Sequence, residues 1–400
     1  MLKRPDTVQH ALPALGLTLE LHDRPDAIES EWRQLEGDGT ASLYQSFAWL
    51  DVWCRAAAAL AGERPVIALL REPCGAPALI LPLALTTWHS TTVLSWLGQS
   101  NAAYNMGLYR HDIRSALTPA MLRALLVEIG RRVPEAAAVH LLAQPLSWDG
   151  IENAMAQVAA VPSASVAYEL ELGRDFDAWL RQVMPKSGRR NLLRLERRLA
   201  EQGAVAMRLA QGLDERRRVL DVFLSQKAVQ LEAAGLDNVF ATPAVAAFLD
   251  AAFADPELGA LLQPAMLEVG QDVVATSIGA RHGRRFYMLM ISMTAAAARR
   301  HGPGRVLMLR HIEALCSMAI DWLDFGPGGG RHKSDWHSSS LAMSETLLAL
   351  TPRGIPATML RRAHSRANTA VRRSPGLIAL ARWLQGKNPF GRRNRTASPD

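Results

Sequence analysis

The segment TAAAARRHGPG, residues 294–304, constrains the fold of this chain more than any other. A mostly apolar run, RRFYMLMISM (284–293), ends just before it. A helix-patterned stretch of about 304–321 follows, and then a short strand, WLDFG (322–326). Strand, turn, helix and strand therefore meet at one seam. Arg299, Gly302 and Gly304 stand there in the order Arg-x-x-Gly-x-Gly. Glycine lacks Cβ, so the backbone can approach a ligand and take φ > 0. A helix beginning near Gly304 presents unpaired amides and the positive end of its dipole, which suits a pyrophosphate. Arg299, Arg300 and Arg305 add charge-assisted donors, and Pro303 falls where a missing N–H costs little. The same letters also fit an ordinary strand-to-helix turn with solvated arginines, because Gly-x-Gly is common.

Elsewhere the patterning is that of hairpins and helices. Strands 64–72 and 76–87 flank PCG, and strands 262–270 and 273–283 flank QD. Helices are expected over 47–60, near 150–159, and over 185–203, 214–233 and 243–254. After VPSAS (161–165) the succession of helices, hairpin, turn and helix begins again. At 400 residues and 49% hydrophobic, the chain can bury two cores. The expectation is an α+β fold of two similar domains, 1–162 and 163–350, followed by a basic tail, 351–400.

Composition excludes several classes. No apolar run approaches the ~18–20 residues of a membrane span, and the N-terminus has no compact signal-peptide core. Cys54, Cys74 and Cys316 lie far apart without metal-ligand spacing, so reduced thiols, a cytoplasmic location and no metal are expected. There is no Gly-x-Ser-x-Gly elbow and no Walker A sequence. The positive charge is local. Residues 353–395 carry eleven Lys and Arg and no acid, whereas the chain before them carries 34 basic and 37 acidic residues. In 357–373, Met359, Ala363, Ala367 and Ala370 share a helix face, and Trp383 follows in GLIALARWLQG. This tail is read as an anchor for an anionic membrane surface at the inner face of the membrane, or else as a disordered solubilising extension. Nucleic acid is the less favoured anionic partner.

With the seam in its strand–helix context, the sequence resembles the GNAT acyl-CoA transferase superfamily, whose pyrophosphate loop reads Arg/Gln-x-x-Gly-x-Gly/Ala. More narrowly it resembles the CelD-type branch found with cellulose and exopolysaccharide biosynthesis, which shares a two-half build with Fem-type aminoacyl transferases. YQSFAWLDVW (44–53) is similar to that branch's Gln-Ser-x-x-Trp-x-x-x-Trp, and PKSGRRNLLRLERRL (185–199) to its basic helix. LDFGPGGGRHKSDW (323–336) is similar to its closing motif, keeping Asp324, Phe325, Gly328, Lys333 and Trp336. There the family's acidic pair is replaced by Gly329-Gly330 and its tyrosine by His332. In the first half, Tyr104 and Asn105 partly match an Asp-Tyr pair.

The resemblance implies two tandem GNAT-like domains, each a mostly antiparallel twisted sheet flanked by helices. It implies transfer of an acyl group from acetyl-CoA or another acyl-CoA to a glycan precursor, a lipid-linked sugar or an amine. The pyrophosphate would rest on Arg299, Arg300, Gly302, Gly304 and Arg305. Strand 284–293 would meet the pantetheine arm and offer an N–H to the oxyanion. His332 is the first choice of base, against a plain loop histidine, with Asp324 orienting base or acceptor or serving only as a turn residue. Lys333 and Trp336 would bind substrate, the latter by stacking on a sugar, unless they are simply solvated and packed. Tyr104, Asn105, Arg190 and Asn191 complete the expected substrate contacts, with Asn191 buried among Leu192, Leu193, Leu195 and Leu199 at a domain interface. An aminoacyl-tRNA donor and a non-catalytic accessory role to a polysaccharide synthase are the alternatives.

Overall fold

The computed structural model describes residues 11–12, 16–38, 41–114, 116–328, 336 and 338–373. His332, Lys333, Gly329, Gly330 and Trp383 lie outside them.

The first half contributes β1 (Ala11–Leu12), β2 (Leu17–His22), β3 (Arg64–Arg71), β4 (Pro77–Trp88), β5 (Thr91–Trp96), β6 (Leu108–Tyr109) and β7 (Ala138–Pro145). A small separate hairpin, β8 (Ser147–Trp148) with β9 (Ile151–Glu152), follows. Next come β10 (Ala160–Glu171), β11 (Val205–Leu209), β12 (Leu262–Val269), β13 (Asp272–His282), β14 (Arg285–Met293), β15 (Trp322–Pro327) and β16 (Ser339–Ala349). The helices are α1 (Glu29–Gly37), α2 (Phe47–Ala56), α3 (His111–Arg114), α4 (Pro119–Arg132), α5 (Phe176–Val183), α6 (Lys186–Ala200), α7 (Gly212–Ala233), α8 (Pro243–Ala254), α9 (Pro256–Leu261), α10 (Pro303–Ser317) and α11 (Gly354–Arg373).

The architecture is α+β, as the sequence led us to expect, with helices flanking one large, mostly antiparallel sheet. Its order is β1-β2-β3-β4-β5-β7-β16-β10-β15-β14-β13-β12-β11, with β6 on β4. Among the described residues only β5/β7 and β14/β15 are parallel pairs, each closed by a crossover containing a helix, α4 in one and α10 in the other. The two arms mirror each other about the β16/β10 junction. β10 follows the first half in the chain yet pairs with β15 of the second. β16 follows the second half yet pairs with β7 of the first. The two halves thus exchange strands, and a boundary at 162/163 falls inside β10.

Two local expectations need correction. The stretch 150–159 holds the β8/β9 turn, β9 and a single 3-10 turn at Ala154–Gln157, not a helix. β16, absent from the sequence reading, is the strand that joins the halves. The core is also shared: Trp49 and Trp53 of α2 pack on Phe248 of α8, with ring centroids 4.9 and 5.6 Å apart. Cys54, Cys74 and Cys316 are free thiols. No described helix is long and apolar enough to cross a membrane.

Candidate active site

β14 and β15 run side by side for only three residue pairs, Arg285↔Trp322, Phe286↔Leu323 and Tyr287↔Asp324. Immediately beyond, β14 carries a bulge. Ile278 of β13 stands opposite Met290 and Gly279 opposite Met288, leaving Leu289 out of the ladder. A bulge bends its strand and raises its twist, and here β14 leaves its parallel neighbour. Past Tyr287 the edge of β14 away from β13 has no strand beside it among the described residues. Two of its carbonyls are met by α7: Lys227 Nζ donates to Ile291 at 3.2 Å and Gln230 Nε2 to Met293 at 2.5 Å. Lys227 is half-buried, and burial holds its pKa below the usual lysine value.

At the end of β14 the chain makes a 3-10 turn, Ala297–His301, which Gly302 closes in the left-handed region (φ 62°, ψ 50°) with its N–H on the Arg299 carbonyl at 3.0 Å. α10 begins at Pro303. The seam is therefore strand, turn and helix start. Arg299, Arg300 and Arg305 are exposed around it. Gly304 serves packing: a Cβ there would come 2.9 Å from Met293 Cε. α6 lies against this turn, and a Cβ on Gly302 would come 3.3 Å from Leu195 Cδ1.

At the point where the strands part, the two halves meet through a buried polar cluster. Tyr104 of the first half donates its hydroxyl to Asp324 Oδ1 at 2.8 Å, and the Gly326 amide donates to the same oxygen at 2.6 Å. Asp324 is 1% exposed, and its Oδ2 has no hydrogen-bond partner among the described residues. Arg285 Nη1 lies 3.7 Å from that oxygen. Arg285 is bound by Glu169 and, at 2.9 Å, by Asp149, and it lies over the rings of Trp148 and Trp322 at 4.6 and 5.6 Å. Glu169 stands directly opposite Asp324 in the β10/β15 register. Burial, reinforced by the Glu169 carboxylate, pushes the Asp324 pKa up to about 7, while Arg285, Tyr104 and the Gly326 amide hold it from going higher.

The opening motif positions Tyr104. Gln45 Nε2 donates to the Tyr104 carbonyl at 2.8 Å, and Ser42 Oγ fixes the Gln45 amide oxygen at 2.6 Å. Ser46 caps α2 by accepting the Trp49 amide at 3.3 Å. Tyr44 and Tyr287 complete the aromatic surround, and the Leu43 amide donates to the Tyr287 hydroxyl at 3.3 Å.

An open cleft of about 520 Å³ lies beside this cluster, between the halves. Arg33, Glu36, Trp148 and Asp149 line it from one side, and His282, Arg284, Arg285, Tyr287 and Trp322 from the other. Every arginine on its wall is bonded to a carboxylate, Arg33 to Glu29 and Glu257, Arg284 to Asp321, and Arg285 to Glu169 and Asp149, and His282 Nε2 lies 3.3 Å from Glu36 Oε1.

Several sequence-derived site residues lie elsewhere. Asn105 faces inward: its amide donates to the Ala143 carbonyl at 2.9 Å and its side chain to Leu142 at 3.3 Å. With Gln99, which accepts the Leu142 amide at 2.8 Å, it holds the 99–105 loop in the gap where β5 diverges from β7. The first half's counterpart of the β14/β15 opening is thus filled by its own chain. Trp336 is buried and stacks on Trp179 at 6.4 Å with 6° between planes, so it packs the core instead of facing the cleft. Asn191 is only half-buried and accepts from Arg194 at 2.8 Å, and Leu193 points outward. Only Leu192, Leu195 and Leu199 of α6 face in, because a helix offers one apolar stripe. Arg190 is exposed on the other face. The sequence reading missed Arg285, Glu169, Asp149, Trp148 and Tyr287. A charged residue inside the apolar pattern of β10, Glu169, and another opening β14, Arg285, were the available signals.

Residues 186–334 match the family model described as Acetyltransferase (GNAT) domain. No curated protein matches the sequence. Among solved structures the chain is similar to FemX, with a TM-score of 0.57 at 10% identity over 85% of this chain and 99% of that one. A conserved protein of unknown function from Bacteroides thetaiotaomicron gives 0.52 at 11% identity, covering 82% and 99%. The C-terminal domain of a putative lysylphosphatidylglycerol synthetase from Agrobacterium fabrum gives 0.50 at 10% identity, covering 85% and 96%. Residues 186–334 are thus similar to a GNAT acetyltransferase domain, and the chain as a whole shares its fold with FemX.

Proposed function

We propose that this protein is an acyl-CoA-dependent N- or O-acyltransferase whose acceptor is an amine or a hydroxyl of a sugar-like molecule. The parting of β14 from β15 at Tyr287 and Asp324 carries this reading. Outward from that point run a strand edge with no described strand beside it, a glycine-closed turn with exposed Arg299 and Arg300, and the start of α10. That order suits an extended pantetheine arm ending in a diphosphate. The bound donor supplies an activated thioester, and the remaining work falls to this chain's own groups. Asp324 Oδ2, a buried carboxylate oxygen without a hydrogen-bond partner among the described residues, takes the proton of the acceptor. Tyr104 and Gly326 hold Oδ1 so that Oδ2 keeps its orientation.

The cleft supports an acceptor that is uncharged or cationic, because each arginine on its wall is already paired with a carboxylate. Trp322, partly exposed on the cleft wall, offers an aromatic ring to a sugar. The test is calorimetry with acetyl-CoA, followed by thiol release with glucosamine and with glucosamine 6-phosphate. Binding of acetyl-CoA and faster release with the unphosphorylated sugar are expected. A chain that binds no acyl-CoA sinks the reading.

One observation favours a second reading, an aminoacyl-tRNA donor. Lys186, Arg190, Arg194, Arg197 and Arg198 are exposed along α6, beside the seam. It predicts RNA affinity falling with salt at nearly one log unit per log unit of salt for each phosphate contacted.

A further inference from the structure

α11 is amphipathic in the reverse sense of an ordinary surface helix. Ile355, Met359 and Leu360 are 48%, 65% and 56% exposed, and Ala363, Ala367 and Ala370 lie exposed alongside them. Ile355, Met359, Ala363 and Ala367 repeat every fourth residue, so they form one outward stripe. The face packed on β10, β16 and β7 is small and polar, with Gly354, Ala357, Thr358 and Ser365 buried. Arg362 donates to the Leu347 carbonyl at 2.7 Å and Ser365 to Glu345 at 2.5 Å. A helix that only closed the fold would turn its apolar stripe inward.

The charge around the stripe identifies the partner. Residues 353–395 carry eleven Lys and Arg and no acid, while the chain before them is slightly acidic. Arg366 is exposed on α11 itself, and Arg353 is exposed just before it. An apolar stripe within a cationic segment fits a surface that is anionic outside and apolar beneath. A second copy would set two cationic segments against each other.

We propose that α11 lies on an anionic lipid surface, its Ile355–Met359–Leu360 side entering the headgroup boundary. The experiment is co-sedimentation of the full chain with vesicles of phosphatidylcholine alone or with about 30% phosphatidylglycerol. Wild type is expected to pellet with the anionic vesicles only, less so in high salt. M359D/L360D should bind them roughly tenfold more weakly, with unchanged circular dichroism and melting midpoint, because both side chains are exposed. Equal pelleting of variant and wild type, or no pelleting of wild type, overturns the proposal. So does a lipid-free dimer that the double substitution dissociates, which would assign the stripe to a second copy. None of these outcomes depends on acyl-CoA binding.

Discussion

Tyr104 and Asp324, 220 residues apart in the chain and on opposite halves of the molecule, are joined by a 2.8 Å hydrogen bond in a buried site. The carboxyl it holds has its pKa raised to about 7 by burial. If Asp324 is the base, turnover must rise with pH through about 7, because only the ionised carboxylate accepts a proton. Asp324→Asn should lose at least about a hundredfold in kcat, the scale of a positioned base, while acetyl-CoA affinity changes little. Stability supplies an independent readout. The folded state holds this proton more tightly than the unfolded chain, whose aspartate titrates near 3.8. The wild type therefore loses stability between about pH 4 and pH 7, by roughly 2–4 kcal/mol. Asp324→Asn lacks that loss, so denaturant midpoints at pH 5 and pH 8 should differ less in the variant.

Tyr104→Phe removes a hydrogen bond that favours the ionised carboxylate. The midpoint of the pH–rate profile should move alkaline, with kcat at high pH largely kept. A variant that lowers kcat equally at every pH would instead mark Tyr104 as a mere packing residue.

The seam and the hairpins were legible because each rests on local pattern. An apolar strand, a glycine with φ > 0 and a helix start occupy twenty contiguous residues, and alternating strands announce their turns. The exchange of β10 and β16 was not legible. Strand pairing across about 180 residues leaves no local mark, and β16, SSLAMSETLLA, places serines and a glutamate where a buried strand usually has aliphatics. Trp336 and Asn191 went astray for a related reason: residue type suggests a role, but only packing decides which way a side chain faces. Tyr104 was picked out by its motif, yet its partner became visible only once the halves were folded together.

Arg285 offers a test of the electrostatics. It stands between Glu169 and Asp324, which face each other across two strands. Arg285→Met should cost about 3–5 kcal/mol, the usual penalty for leaving buried charge uncompensated. Glu169→Gln in the same chain should recover part of it, because one of the facing charges is then gone. Urea midpoints of the two single variants and the double variant measure the coupling. Additive effects would mean that the three groups do not form one network.

The seam can be divided into charge and shape. Arg299 and Arg300 are exposed, so Arg299→Ala/Arg300→Ala should leave the melting midpoint unchanged. Each lost charge-assisted bond to a diphosphate should weaken acetyl-CoA binding by roughly 1.5–3 kcal/mol, about tenfold or more. Dephospho-CoA keeps the diphosphate and should show the same loss, whereas pantetheine lacks it and should bind both proteins alike. Gly302 acts differently. Its left-handed backbone excludes other side chains at a cost of about 1–2 kcal/mol, and a Cβ would press on Leu195. Gly302→Val should therefore lower stability and acyl-CoA affinity together. If the arginine pair leaves calorimetric affinity for acetyl-CoA untouched, the donor diphosphate does not rest on this turn.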